Sequence, residues 1–233
     1  MKRFWKLAEV VEADEGFGVA LDGRRVKTPA RVAMFVPNRG LAEAIAVEWN
    51  DCGDEIDPRA MSLTGLANAA IDRVAADRDG FAATLAQYAQ GDLLCYRAEG
   101  PQPLVELQAR QWDPLLGWAR RRFDVDFTIT TGIMHVDQPV ATVQRLAHAV
   151  AMLDPFTLSA LSPLVTIGGS LVTALALIEG EVSVAAAWDA VSLDDAWQAE
   201  KWGADAEAVA ALELRRRDFA AAVRFLSLLG PLD

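Results

Sequence analysis

Residues Gly16–Pro29 read GFGVALDGRRVKTP. A period-2 run leads to Leu21, Asp22-Gly23 interrupts it, and a second short run follows. An Asp-Gly pair between two such runs is a strong hairpin signal, because the type I′ turn needs positive φ at both central residues. Working outward from the turn, RVAMFVP (Arg31–Pro37) reads as a third strand and FWKLAEVVE (Phe4–Glu12) as a fourth. Residues 3–37 are therefore expected to form a small antiparallel sheet. The basic cluster Arg24, Arg25 and Lys27 suits a solvated guard on an edge strand.

NRGLAEAIAVEWN (Asn38–Asn50) turns helical. Asn38 can cap the free N–H groups at its start. Leu41, Ile45 and Trp49, with Ala42 and Ala46, fall on one face at helical spacing, which would cover the sheet. DCGDEIDPRA (Asp51–Ala60) follows, polar and broken by Gly and Pro, and reads as a linker. From Met61 the pattern is almost wholly helical. Leu63, Leu66, Ala67, Ala70, Ile71 and Val74 form one stripe, and Leu104, Leu107, Gln111, Leu115 and Trp118 another, with a kink expected at Pro114. The β-branched stretch FDVDFTITTGIMHVDQP (Phe123–Pro139) breaks the period and reads as an extended crossing. A last helix is expected over 204–229. The fold class is thus α+β: an N-terminal sheet domain with its covering helix, residues 1–57, and a larger mainly α-helical domain, residues 58–233.

The net charge is -11, which repels phosphate backbones and argues against nucleic acid as a partner. No stretch approaches the roughly 20 apolar residues of a membrane span, so no membrane insertion is expected. The N-terminus has no apolar run of signal length and turns acidic early, unlike a secretory or transit peptide. Cys52 and Cys95 lack CxxC spacing and read as reduced thiols.

Few residues suggest chemistry. His135 and His148 fall in different elements without metal-ligand spacing, so no metal is expected. Neither cysteine sits in a recognisable nucleophile motif. Gly168-Gly169-Ser170 opens a helix without the phosphate-loop pattern, and close helix packing is its better reading. Asn68 and Asp72 form a polar seam on a helix. Arg120-Arg121-Arg122 suits the C-terminal turn of its helix, where cations complement the dipole.

SLDDAWQAEKWGAD (Ser192–Asp205) is different. Two indoles stand among small, acidic and amide side chains. Asp194 and Asp195 suit a helix start, Trp197 and Lys201 share a face, Gln198 and Trp202 share the next, and Gly203 ends the turn. Packing of at least one indole into the helical domain is expected, with the polar residues between them emerging at the surface. Aromatic rings beside a few charges are what a protein–protein hot spot contains.

RRVKTPA, LANAAIDRV, YAQGDLLCYRA, QWDPLLGWA, GSLVTALAL and AWQAEKWG, taken in order from about Phe4 to Leu229, resemble the ATP12 family, assembly chaperones of the F1 sector of ATP synthase. The resemblance implies a protein that is not an enzyme and needs no cofactor. It implies a partner, the free F1 alpha subunit, kept from aggregating until it pairs with beta. It also implies a monomer and, because mitochondrial members carry a targeting extension, a bacterial cytoplasm. The family's WQ-x-E-x-WG block falls on Trp197, Gln198, Glu200, Trp202 and Gly203. An acidic residue of this region carries over to Glu200, with Asp194 and Asp195 as competitors. The implied partner-binding set is Glu200, Gln198, Lys201, Trp202, Asp195 and Trp197. Two other readings compete. One is a small-ligand binder or enzyme using a pocket between sheet and bundle, around Asn68, Asp72 and Asp92. The other is a general holdase without a fixed client.

Overall fold

The computed structural model describes residues 2–203 and 205–230. Ala204, where the last helix is expected to start, lies outside them, as do Met1 and residues 231–233 at the chain ends. The chain forms two compact units. One takes in the described residues among Met1–Arg78, Asp154–Ala160 and Ala221–Pro231, the other those among Asp79–Leu153 and Leu161–Ala220.

The first unit holds a four-stranded antiparallel sheet: β1 (Ala8–Ala13), β2 (Gly16–Leu21), β3 (Arg24–Arg25) and β4 (Phe35–Val36). β2 is central, with β1 along one edge and both β3 and β4 along the other. The hairpin turn is as its residues demand, with φ of 47° at Asp22 and 79° at Gly23. Asp22 does more than turn the chain. Its carboxylate accepts the backbone N–H groups of Lys6 (3.0 Å) and Leu7 (3.0 Å), which hold it below the usual carboxylate range. Gly16 is needed where the strands close up, since a Cβ there would lie 2.7 Å from the Val36 carbonyl oxygen. Arg24, Arg25 and Lys27 are exposed, as an edge guard should be.

Helix α1 (Arg39–Asn50) packs Leu41, Ala42 and Ile45, all fully buried, on β1 and β2. Asn38 serves two helices. Its Oδ1 accepts the Leu41 N–H (2.9 Å), and its Nδ2 donates to the carbonyls of Leu228 (2.8 Å) and Leu229 (3.1 Å) near the end of the last helix. α2 (Ser62–Ala69) has no local side-chain cap. Glu48 supplies one from α1, accepting the N–H groups of Leu63 and Thr64, each at 2.8 Å. α2 then runs into one wide π turn, Ala70–Val74.

The second unit is built on helices, in chain order α3 (Arg78–Ala86), α4 (Gln102–Phe123), α5 (Val140–Ala151), α6 (Pro155–Gly168), α7 (Leu171–Ile178), α8 (Val184–Val191), α9 (Leu193–Trp202) and α10 (Ala206–Leu229), of which α3, α6 and α10 also reach residues of the first unit. α4 continues through Pro114 rather than ending there. Its buried face, Trp112, Leu115, Leu116, Trp118 and Ala119, holds it in place where the proline removes one helical hydrogen bond. Trp112 has no exposed surface and donates its indole N–H to the Ala190 carbonyl at 2.8 Å. Gly168 permits close approach of α6 and α8, because a Cβ there would meet Val191 Cγ1 at 3.0 Å. Beyond the end of α4 the stretch to Pro139 carries no helix, and within it β6 (Thr130–Thr131) pairs in parallel with β5 (Tyr96–Arg97).

Candidate functional site

The six residues singled out for partner binding all lie on α9. Asp194 and Asp195 occupy its first turn, against the positive end of the helix dipole. Gly203, at φ 79°, ends it and returns its N–H to the Ala199 carbonyl (2.9 Å). Leu193 is the one buried residue of the helix, and polar ties help to hold α9. The Gln108 amide donates to Asp194 Oδ1 at 2.8 Å. Arg215 donates to Asp195 Oδ2 at 2.8 Å and to the Ile167 carbonyl at 3.1 Å.

The two indoles part company. Trp197 is half-buried, with the Lys201 ammonium 4.8 Å from its ring centre. Lys201 also pairs with Glu200 at 3.0 Å. Trp202 leaves 77% of its surface exposed. Gln198 and Trp202 line two cavities at once. One, about 320 Å³, is shared with Tyr96, Pro101, Leu104 and Ile133; the other, about 550 Å³, with Trp188, Val209 and Leu212. α9 is thus a ridge between two grooves, with an uncovered indole on it.

Reading the sequence missed Ile133. The signal was there: Ile133-Met134 is an apolar pair just after Gly132, in a stretch with no helical face to bury it. The two are 96% and 76% exposed.

The chemistry that competing readings need is weak. Burial pushes the Cys95 thiol up to about 12, which removes it as a nucleophile at neutral pH. Cys52 is raised in the same direction, again by burial. Asp92 is fully buried, and burial pushes its carboxyl up to about 6. It is nonetheless a structural group: Oδ1 accepts the Leu94 N–H (3.1 Å) and Oδ2 the Val172 N–H (2.9 Å), at the start of α7. Asn68 and Asp72 lie in the first unit. Asp72 Oδ2 accepts the Ala30 N–H at 2.9 Å, while the buried Oδ1 atoms of both residues have no hydrogen-bond partner among the described residues. His135 sits between the Tyr96 hydroxyl and the Asp137 carboxylate, each at 3.1 Å. Among the described residues no three His, Cys, Asp or Glu side chains gather to hold a metal, and no helix is long and apolar enough to cross a membrane.

Residues 2–120 match the family model of the ATP12 chaperone protein. The crystal structure of Atp12 from Paracoccus denitrificans superposes with a TM-score of 0.92 at 41% identity, covering 98% of both chains. A crystal structure from Agrobacterium tumefaciens gives 0.93 at 36% identity, over 98% of this chain and 86% of that one. Mitochondrial protein atp12 of Schizosaccharomyces pombe is 24% identical over 214 residues, 87% of this chain and 74% of its own.

Proposed function

The chain belongs to the ATP12 chaperone family, and on that premise we propose that it is an assembly chaperone for the F1 sector of ATP synthase, binding the free alpha subunit and preventing its aggregation until it pairs with beta. The observation that carries this reading is Trp202: a large indole left 77% exposed on a helix with one buried residue. Such a side chain costs solubility in isolation and is useful when a partner covers it. A free subunit exposes apolar surface that belongs against its neighbour. A chaperone can cover that surface with an interface of standard size and no chemistry. The net charge of -11 keeps the complex soluble.

Within α9, Glu200, Gln198, Lys201, Trp202, Asp195 and Trp197 are the contact set. Glu200 and Lys201 form an exposed pair whose geometry a partner can take over. The protein acts as a monomer without a cofactor. Co-purification with separately expressed alpha and beta subunits from the same cell tests the reading. Alpha alone is retained and kept soluble, and Glu200→Lys weakens its retention. Retention of neither subunit, or equal retention of unrelated unfolded proteins, overturns it.

A further inference from the structure

Two of the most exposed large apolar side chains of the second unit, Ile133 (96%) and Trp202 (77%), face one groove although they are far apart in sequence. Tyr96, Pro101, Leu104 and Trp197 add to its apolar lining. Ile133 does not reach it by accident of a loose loop. The parallel pairing of Thr130–Thr131 with Tyr96–Arg97 brings the segment in. Gly132 then turns at φ 77° and donates its N–H to the Arg97 carbonyl at 2.9 Å. His135, between Tyr96 and Asp137, pins the far side.

The charges of the lining are unequal. Arg97 is buried and spends its guanidinium on the Leu94 carbonyl (3.0 Å), Asp113 (2.7 Å) and the Trp112 face (5.2 Å). Asp194 is half-buried and gives one oxygen to Gln108. Nearby, Lys201 is engaged by Glu200 and the Trp197 ring. The groove therefore offers apolar surface and a carboxylate, and no unengaged cation among its lining residues.

We propose that this groove seats a short apolar segment of the alpha subunit, with Ile133 and Trp202 gripping its apolar side chains and a flanking Lys or Arg of the segment lying against Asp194. The proposal rests on the chaperone reading above and adds to α9 a second wall, from the β5–β6 side. Apolar contact supplies the grip, and the unbalanced carboxylate sets the orientation.

The test is equilibrium binding of the purified full chain to purified alpha subunit. Ile133→Asp and Trp202→Ala are each expected to weaken binding at least tenfold. Met152→Asp, 70% exposed elsewhere in the same unit, stays within twofold. Because both grip one segment, the double variant loses less than the product of the two single losses. Asp194→Asn makes binding less sensitive to salt. Ile133 is so exposed that its variant keeps the fold, and a thermal melt verifies this. Alpha held as tightly by Ile133→Asp as by the wild type overturns the groove and leaves the chaperone reading standing. Failure of the wild type to hold alpha overturns that reading, and this proposal with it.

Discussion

Trp112 and Trp202 belong to the same unit and carry the same indole, yet Trp112 has no exposed surface while Trp202 is 77% exposed. Trp112 sits mid-way along α4 with apolar neighbours at helical spacing, and its N–H finds the Ala190 carbonyl. Trp202 is the last residue of α9, one step before Gly203. A side chain in the middle of a buried stripe is surrounded whichever rotamer it takes. One at a helix end, flanked by Lys201 and Gly203, has few neighbours on its own helix to cover it. The same residue type therefore carries stability in one place and, in our reading, recognition in the other.

That contrast can be broken at several points. The largest effect belongs to Trp112→Ala, which should cost about 3–5 kcal/mol by emptying a core site and orphaning a carbonyl. For a chain of this size that lowers the melting midpoint by roughly 6–20 °C. An unchanged melt would mean that the buried Trp112 contributes little to the packing of α4.

Asp92→Ala comes next, since it strands the Leu94 and Val172 N–H groups in the interior, at about 2–4 kcal/mol together. The pH dependence has a definite sign. The folded carboxyl, at about 6, lies above its unfolded value of 3.8, so the native state holds the proton more tightly. Its stabilising contribution is full below the unfolded value, is lost as pH rises through about 6, and is flat above that. As pH rises from 5 to 7.5 the urea midpoint of the wild type should therefore fall relative to that of Asp92→Asn, which has no such proton to lose, whatever the other carboxylates contribute to both.

Trp202→Ala sharpens the other side of the comparison. Stability should move by no more than about 0.5 kcal/mol, as at other exposed positions. Alpha binding should weaken by about 2 kcal/mol or more, roughly thirtyfold. A loss of stability without a loss of binding would make Trp202 an ordinary packing residue. The smallest effect is expected for Asp195→Ala, which removes a half-exposed pair with Arg215 and should cost at most about 1 kcal/mol in the melt.

Local chemistry was legible along the chain. Asp22-Gly23 demanded its turn, Asn38 its cap, and Asp194, Asp195 and Gly203 the two ends of α9, because each of these is a bargain struck within a few residues of backbone. The four strands and the helix on top of them follow from period and punctuation in the same way. Other features had no local signature. α4 runs through Pro114 because its buried face outweighs one missing hydrogen bond. The start of α2 is capped by Glu48, from a different helix. The π turn at Ala70–Val74 fits within an apolar stripe that looks plainly helical.

The candidate site divides along the same line. Its α9 wall is legible in the single stretch Ser192–Asp205, and the family resemblance points to the same residues. The opposite wall is not. Thr130–Thr131 and Tyr96–Arg97 are two-residue strands too short to announce themselves, and only their parallel pairing brings Ile133 beside Trp202. Sequence by itself determined the N-terminal hairpin, the main helices, the caps made by neighbouring residues and which residues are out of place in an ordinary core. Tertiary structure alone decided which of those misfits meet, because turns and caps are settled by neighbours along the backbone, whereas the walls of a groove are settled by packing between segments that sequence spacing does not relate.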